Sequence, residues 1–386
     1  MPPRPIVESG AVVVLRLYDI ANEIDLARAQ TLAAGEKERA GGTSRATSPE
    51  PAIEAVGRAQ LTRAEPKAMT FGTPPVQLGL GTVTLPFEGT ARPAEAAAKL
   101  YDFGVLSLAL RFPVTDLGWD EFVALNTALD RAAAAPAAAT VWSALLEHMR
   151  GIVADALVRP SRSALEEDYL LTIVNRWERP RTAEEVLREC DVAALLASDS
   201  AALAASARDD LLRHRFSYYA TDLVVLSWDH AFLVEPTGES DVADVLEVAN
   251  AQLLELLYYD ALLDAELPRM YDRVDEARHR LRSLMRRRYA DLARELYTLV
   301  AEVTQVTEKV DNALKVVEDV YLARVYTAAL ELFRVPAWAA AVERKLEIVR
   351  DTYSALYDEG TASRAELLEL TIVLLILFEI IMAFVR

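Results

Sequence analysis

Six arginines lie within eleven residues of the C-terminal half, in the stretch RHRLRSLMRRR. They are Arg278, Arg280, Arg282, Arg286, Arg287 and Arg288. Guanidinium groups bind phosphate through bidentate, charge-assisted hydrogen bonds, so one hypothesis is a site for the RNA backbone or for anionic lipid headgroups. The alternative is neutralisation by another helix or by acidic neighbours, with the arginine stems packed on a core; these neighbours are Asp272, Asp275 and Glu276. The sequence leaves both interpretations open.

A second group of polar residues falls within VLEVANAQLLELLYYDALLD, in a helical pattern. Its members are Glu247, Asn250, Gln252, Glu255, Tyr259 and Asp260. Gln252, Glu255 and Tyr259 share one face of a helix, where they either line a pocket or form a buried hydrogen-bonded network. An enzyme, either a hydrolase or a nucleotide-acting one, would need Glu247, Glu255 and Asp260 together in a pocket of ligand size.

Other patterns that carry chemistry are missing from the sequence. The four histidines are scattered without metal-ligand spacing, and Cys190 is the single cysteine, so we expect no metal site and no disulfide. Gly79 to Thr82 form a short glycine-rich stretch that completes no phosphate-binding motif and is interpreted as a turn. No catalytic residue, cofactor or small-molecule substrate is therefore predicted, and nothing in the sequence argues for an enzyme.

The overall charge narrows the choice of partners. A formal net charge of -18 and a pI near 4.8 disfavour DNA binding, because most of the surface would repel a polyanion. Any site for an anion must then be local. The N-terminus has no apolar core of a signal peptide, so the sequence predicts a body that stays in the cytoplasm.

Strand and helix signals alternate in the N-terminal part. In GVLSLALRF, apolar residues at 106, 108, 110 and 112 alternate with Ser107, Ala109 and Arg111, as in a strand with two different faces. Helical patterns at 119–131, 141–157 and 182–196 would cover one face of the sheet. The sequence thus predicts an α+β domain from residues 1–33 and 68–236, interrupted by a disordered insertion at 34–67.

The region 237–364 has a helical character, with prolines at 268 and 336 predicted to break or kink long antiparallel helices. Apolar residues from Leu296 to Val320 recur at steps of three and four, which indicates a heptad seam. Such a seam forms either within one chain or between subunits, and the pattern does not choose between them.

The C-terminal residues 365–386 carry the apolar run LTIVLLILFEIIMAFV, which predicts a transmembrane helix. Counted from Leu367, the run spans about 28 Å, close to the roughly 30 Å hydrocarbon core. Glu379 lies inside it, and a carboxyl at that depth should face another helix, which favours self-association through Glu379. The competing interpretation is a buried helix of a soluble oligomer.

Four stretches carry a resemblance to a known family: YYATDLVVLSWDHAFLV, LEVANAQLLELLYYDALLD, TEKVDNALKVVEDVYLARVY and AELLELTIVLLILFEIIMAF. They resemble the "required for meiotic nuclear division" family, a class of domains of unknown function, and the chain is identified as a bacterial member. The resemblance implies a hydrophobic anchor with a glutamate at Glu379, and a link to translation, since mitochondrial members hold ribosomes near the inner membrane. It supplies no catalytic residues.

These observations combine into one leading hypothesis and two alternatives. The leading hypothesis is a non-enzymatic, oligomeric scaffold held in the cytoplasmic (inner) membrane by a single-pass C-terminal anchor. Its body would lie in the cytoplasm and contact the ribosome, RNA or anionic lipid. The alternatives are an enzyme with the acidic site described above, and a soluble homo-oligomer with a buried C-terminal helix.

Overall fold

The computed structural model describes residues 5–40, 70–71, 73–87, 90–198, 202–238, 241–279, 294, 296–301, 303–304, 307–308, 314–315 and 320–385. The chain forms two compact units. Unit 1 contains Met1–Glu255 and Lys309–Pro336, and unit 2 contains Leu256–Glu308 and Ala337–Arg386. The predicted disordered insertion is described only at 34–40, which continue a helix, and its remainder lies outside the described residues.

The centre of unit 1 is an eight-stranded sheet with the strand order β4-β5-β6-β1-β8-β11-β10-β9. Its strands are β1 (Ile6–Asp19), β4 (Val76–Phe87), β5 (Thr90–Leu100), β6 (Val105–Gly118), β8 (Glu166–Trp177), β9 (His214–Phe216), β10 (Leu223–Leu226) and β11 (His230–Val234). All neighbours pair antiparallel except β8 and β11, which are parallel. Two small ribbons pair β2 (Ala21–Ile24) with β7 (Leu157–Pro160), and β3 (Thr70–Phe71) with β12 (Leu314–Lys315).

The sheet is covered on both faces, and the alternation along its strands assigns each side chain to one of them. On β6, Leu106, Leu108, Leu110 and Phe112 join the large apolar core of the first face. Ser107, Ala109 and Arg111 lie on the second face, as the period of two predicts. The central strand β1 is buried along nearly its whole length, which explains its β-branched sequence AVVVLRL.

Five helices cover the first face: α1 (Leu26–Ala40), α2 (Trp119–Ala134), α3 (Ala139–Val153), α4 (Ala183–Glu189) and α5 (Val192–Ala197). The peripheral helix α6 (Ala205–Leu211) buries no residue. The start of α4 follows from its sequence, since Thr182 and Glu185 form a reciprocal capping box. The helices α2 and α3 agree with the patterns predicted at 119–131 and 141–157, and the pattern at 182–196 forms two helices, α4 and α5.

Two helices contribute to the second face of unit 1. The first turns of α7 (Asp241–His279) reach β5 through Lys99, and α8 (Val320–Leu332) joins α7 by a 2.6 Å hydrogen bond from Tyr326 to Gln252. Phe333, which follows α8, packs edge-on against Tyr169 of β8 at 5.4 Å between ring centroids. Unit 1 is thus a sheet between two helical layers.

Glycine has a backbone role at two positions, one in a turn and one in a strand. Gly104 ends the β5–β6 hairpin turn at φ +100, and a Cβ there would lie 1.8 Å from the carbonyl oxygen of Ala21. The prediction of a turn at Gly79 to Thr82 is wrong, because these residues lie inside β4. Gly81 has φ 82 next to a register shift, so the glycines mark a β-bulge rather than a chain reversal.

The described part of unit 2 is helical. It contains α7 from Leu256 onward, the helical residues 296–301 and α9 (Val335–Val385) from Ala337 onward. Lys345 of α9 lies 2.6 Å from carboxylate oxygens of both Asp260 and Asp264 of α7. The helix α7 continues through Pro268.

The predicted heptad seam is wrong as one continuous helix. Leu314 and Lys315 form the strand β12, paired with Thr70 and Phe71, so the backbone leaves the helical path inside the proposed seam. Leu296 and Val303 are buried, whereas Val320 is 78% exposed. Seam positions 306, 310, 313 and 317 lie outside the described residues. The prediction rested on the spacing of apolar residues alone.

The C-terminal transmembrane helix, and with it the predicted location in a membrane, is also wrong. None of the helices in the described part of the chain combines the length and the apolar character that crossing a bilayer requires. Between Glu369 and Arg386 the apolar run has sixteen residues, about 24 Å of helix, against a hydrocarbon core of roughly 30 Å. Glu379 also interrupts it. The run is instead the end of the 51-residue helix α9, where residues 372–376 are exposed.

Candidate functional site

A cavity of about 450 Å³ lies on the second face of the sheet, next to the first turns of α7. This volume falls in the range that small-molecule sites occupy. Strands β1, β4, β5, β6, β8, β10 and β11 supply most of its wall. The polar lining consists of Gln77, Glu95, Lys99, Ser107, Arg111, Asn175, Glu235, Asp244 and Glu247. Alanines 97 and 109, which are cross-strand partners, leave room above the sheet.

A buried ion cluster forms one wall of the cavity. The Lys99 ammonium on β5 lies 2.6 Å from Asp244 Oδ1 and 2.5 Å from Glu247 Oε2, both on the first turns of α7. The three side chains are only 8–17% exposed. Because two carboxylates surround one cation at short range, the cluster fastens the start of α7 to the sheet.

The same arrangement fixes the protonation state of Lys99. Burial alone would lower its pKa, but attraction to Glu247 and Asp244 outweighs burial, so the pKa of Lys99 rises well above its ordinary value. Burial, together with the nearby charge of Glu247, also raises the pKa of Tyr101 well above its ordinary value. Lys99 therefore stays charged at neutral pH and cannot serve as an amine nucleophile.

Ser107 gives the cavity an unused hydrogen-bonding group. It is 1% exposed, lies directly across from Lys99 on β6, and its hydroxyl has no hydrogen-bond partner among the described residues. A buried hydroxyl without a partner costs about 1–3 kcal/mol, so native proteins rarely keep one without a reason. A ligand in the cavity would supply that reason.

The remaining charged groups of the cavity wall also have neighbours. Arg111 Nε lies 3.7 Å from Glu95 Oε2, and both side chains are partly exposed. Glu235 accepts a 2.6 Å hydrogen bond from the Thr237 hydroxyl. The wall therefore holds two cations and four carboxylates, with both cations next to carboxylates.

A different cluster lies on the first face, around His230 at the start of β11. Its Nε2 is 2.9 Å from the hydroxyl of Ser198 and 3.5 Å from Asp130, and its Nδ1 is 2.8 Å from Asp229. Ser198 follows α5 with φ 46, a left-handed backbone that is unusual for serine. No sequence motif predicts this cluster, because its members lie on separate elements.

The distances around His230 resemble those of a Ser-His-Asp triad, but the electrostatics do not. Burial would lower the pKa of His230, yet the carboxylates of Asp130 and Asp229 raise it to about 9. At neutral pH the imidazole is already protonated and cannot accept the proton of the Ser198 hydroxyl. We therefore interpret the cluster as structural. The thiol of Cys190 is no better nucleophile, since burial raises its pKa to about 12.

A larger groove of about 1050 Å³ runs along α2. It is open, and α2 lines it with three alanines, Trp119, Val123, Thr127, Asp120 and Arg131. Asp191 at one end already caps α5 and pairs with Arg208 at 2.6 Å. We prefer the smaller cavity because it is the more enclosed of the two and contains the buried polar groups.

The six residues of the predicted polar network all lie on α7, and polar contacts are described for four of them. Glu247 pairs with Lys99, Asn250 donates to the carbonyl of Leu246, and Gln252 accepts from Tyr326. Asp260, in unit 2, pairs with Lys345, while Glu255 and Tyr259 are buried. Among the three carboxylates that the enzyme hypothesis needs together, Glu247 is the one that lines the cavity.

Two other sequence predictions lie outside the described part of the chain. These are the arginine cluster Arg278 to Arg288, of which only the backbone at 278–279 is described, and the side chain of Glu379. Anion binding and self-association through these residues stay predictions. Within the described residues, no group of three or more His, Cys, Asp or Glu is arranged to hold a metal ion.

Lysine is the rarer basic residue of this chain. Only six of the 41 basic residues are lysines, and two of them, Lys99 and Lys345, each contact two aspartate or glutamate side chains. Each of these two ammonium groups lies between carboxylates, but residue type alone does not mark such a position, because Arg181 also contacts two carboxylates, those of Glu178 and Glu189. No sequence pattern identifies Ser107 either.

Comparison with known proteins links this region to one family. A family model described as "Uncharacterized protein MJ0711, N-terminal domain" matches residues 9–241. The uncharacterized protein MJ0711 of Methanocaldococcus jannaschii is 28% identical over 179 residues, which cover 46% of this chain and 54% of that protein. The match thus spans about half of the length of that relative. No solved structure matches the chain.

Proposed function

The chain belongs to the family of the MJ0711 N-terminal domain, and from this premise we propose that unit 1 is a non-enzymatic module that binds a small polar molecule. The observation that carries the proposal is the cavity of about 450 Å³ with a buried, unpartnered Ser107 hydroxyl beside a fixed ion cluster. A binding site needs a few placed polar groups in an enclosed, pre-formed space, and the second face provides them.

The charge state of the site favours binding over catalysis. A general acid or base must exchange a proton near the working pH. Lys99 does not, because its pKa lies well above the ordinary value of 10.5. The candidate nucleophiles Ser198 and Cys190 lack a usable base and a low pKa, respectively. The hypothesis of a hydrolase or nucleotide-acting enzyme has less support, since Glu255 and Asp260 do not join Glu247 in the cavity wall.

The leading sequence hypothesis of a non-enzymatic interaction protein is compatible with such a module. A ligand on the second face would contact the first turns of α7 and could alter how firmly they are held. The resemblance to the "required for meiotic nuclear division" family supports an interaction role. Membership of that family and a bacterial origin both stay predictions.

The test fills the cavity without changing its charges. Ala109→Leu places a larger apolar side chain over the sheet, and Ala91→Leu, at an exposed position of β5, is the matched control. Thermal unfolding of the full chain is measured with a panel of small polar compounds of graded charge. A ligand at 100 times its Kd stabilises a protein by about 2.7 kcal/mol.

We expect at least one compound to stabilise the wild type and Ala91→Leu, and to leave Ala109→Leu unaffected. If all three proteins respond alike to every compound, the cavity is not a binding site and the proposal is wrong. Circular dichroism of Ala109→Leu must match that of the wild type, so that a lost response is not lost folding.

A further inference from the structure

The charges of the cavity wall indicate which kind of molecule it binds. Four carboxylates, those of Glu95, Glu235, Asp244 and Glu247, face two cations, Lys99 and Arg111. The wall thus carries an excess of two negative charges. Glu95 and Arg111 are partly exposed to water, whereas Lys99, Asp244 and Glu247 are buried and carry one surplus negative charge among them. That buried surplus repels anions and attracts cations more strongly than it would in water.

Both cations of the wall already lie next to carboxylates. Lys99 is held between Asp244 and Glu247 at 2.5–2.6 Å, and Arg111 lies 3.7 Å from Glu95. An anionic ligand would have to compete with these carboxylates for Lys99 and Arg111. A cationic ligand meets no such competition, because it compensates the surplus carboxylate charge instead of displacing it.

Ser107 adds a neutral hydrogen-bonding group at the sheet surface. Its hydroxyl oxygen has two acceptor lone pairs and one donor, and no described residue uses them. An ammonium group can donate a hydrogen bond to this oxygen while the Ser107 hydroxyl stays neutral and keeps its proton. The ligand should therefore carry N–H donors as well as positive charge.

We infer that the second-face cavity binds a small organic cation, of the class of primary aliphatic amines. This inference rests on the proposed function and specifies its ligand. The cavity of about 450 Å³ is large enough for an amine of several carbons, so a chain of four carbons is a suitable probe.

Three probes of equal chain length separate charge from shape: 1,4-diaminobutane, 1,4-butanediol and succinate. Binding of each to the full chain is measured by isothermal titration calorimetry at low salt and neutral pH. We expect 1,4-diaminobutane to bind the wild type and the other two probes to bind at least tenfold more weakly. Raising the salt concentration should weaken the diamine further.

Variants then locate the binding. Ala109→Leu should abolish it, Glu235→Gln should weaken it roughly tenfold through the lost charge, and Ser107→Ala about two- to tenfold through the lost hydrogen bond. The control is Glu184→Gln on α4, which removes the same charge from an exposed position outside the cavity and should leave the affinity unchanged. This control matters because the chain carries a net charge of -18 and attracts cations generally.

The outcomes distinguish the inference from the proposed function. If succinate or butanediol binds more tightly than the diamine and Ala109→Leu removes that binding, the amine class is wrong and the cavity still binds a ligand. If the diamine binds Ala109→Leu as tightly as it binds the wild type, or if Glu184→Gln weakens binding as much as Glu235→Gln does, the site of the diamine lies elsewhere and the inference is overturned. If the wild type binds no diamine, the inference fails as well.

Discussion

The two faces of the central sheet each bury a cation, and they do so in different ways. On the second face, Lys99 and both of its carboxylate partners are less than one-fifth exposed. On the first face, His230 is 5% exposed, but its partners Asp130 and Asp229 are 32% and 61% exposed. The carboxylates beside His230 can turn to water if the cation is lost, whereas those beside Lys99 cannot.

A second difference concerns packing. The first face is filled by tryptophan, phenylalanine and leucine from α1 to α5, and the hydroxyl of Thr172 there bonds to the buried Asn126. The second face uses alanine at positions 97 and 109, keeps a cavity and leaves the Ser107 hydroxyl without a described partner. A closed core and a cavity thus share one sheet, divided by the alternation of its strands.

The largest effect should come from removing the cation of the second face. Lys99→Met removes the buried cation that Asp244 and Glu247 both contact, and breaking a buried pair in this way costs about 3–5 kcal/mol. Urea unfolding measures the loss. Adding Asp244→Asn and Glu247→Gln should restore part of the stability, because no uncompensated charge then remains. A loss below about 1 kcal/mol would show that these carboxylates reach water and would remove the contrast between the faces.

A smaller effect should come from His230, and it should depend on pH. The folded-state pKa of His230, about 9, lies above the ordinary value of 6.5. The charged imidazole therefore makes its full contribution to the stability of the folded state below pH 6.5. That contribution is lost as the pH rises through about 9, since the folded state then gives up the proton that it had retained. We expect the unfolding free energy to fall by about 2 kcal/mol over this range, less than the full shift implies because the partners are partly exposed.

The control for this titration is His230→Gln, which should remove most of the slope between about pH 7.5 and 9.5. Asp19, with a pKa of about 6, and Glu167, with a pKa of about 7, titrate mainly below this window. Tyr18, with a pKa of about 12, titrates above it. A slope that persists in His230→Gln would assign the effect to another group.

The smallest effect distinguishes two buried hydroxyls. Thr172→Val removes the partner of Asn126 in the closed core and should cost about 1–3 kcal/mol. Ser107→Ala removes a hydroxyl with no described partner, so its stability should stay within about 0.5 kcal/mol of the wild type or rise. Chemical unfolding of both variants in the absence of ligand is the measurement. Equal losses would mean that Ser107 has a partner and that the second face is as closed as the first.

The sequence predicted the sheet better than the site. The alternation of GVLSLALRF located β6 and separated its two faces, because burial on each face imposes a period of two. Only one member of the ion cluster was predicted. Glu247 was a candidate site residue, but its partner Lys99 lies 148 residues away in the sequence. Pairings over such distances depend on strand order, which local patterns do not encode.

The C-terminal region shows the opposite error. Apolar periodicity and hydropathy predicted a heptad helix and a membrane span, and the structure has the strand β12 at Leu314–Lys315 and no helix, among the described residues, that could cross a bilayer. The heptad prediction took no account of β12, which pairs with β3. The membrane prediction included Glu379 inside the apolar run and still favoured a span. Self-association through Glu379 stays a prediction, because that side chain lies outside the described part of the chain.

The order of the strands has a consequence for synthesis on the ribosome. The central strand β1 is made first, while α8, which belongs to the same unit, is completed only at residue 332. At roughly 5–20 residues per second, the interval is about 15–65 s. During that time the nascent chain exposes the apolar side chains that α7 and α8 later help to cover, so the emerging protein should depend on chaperones until its last third is translated.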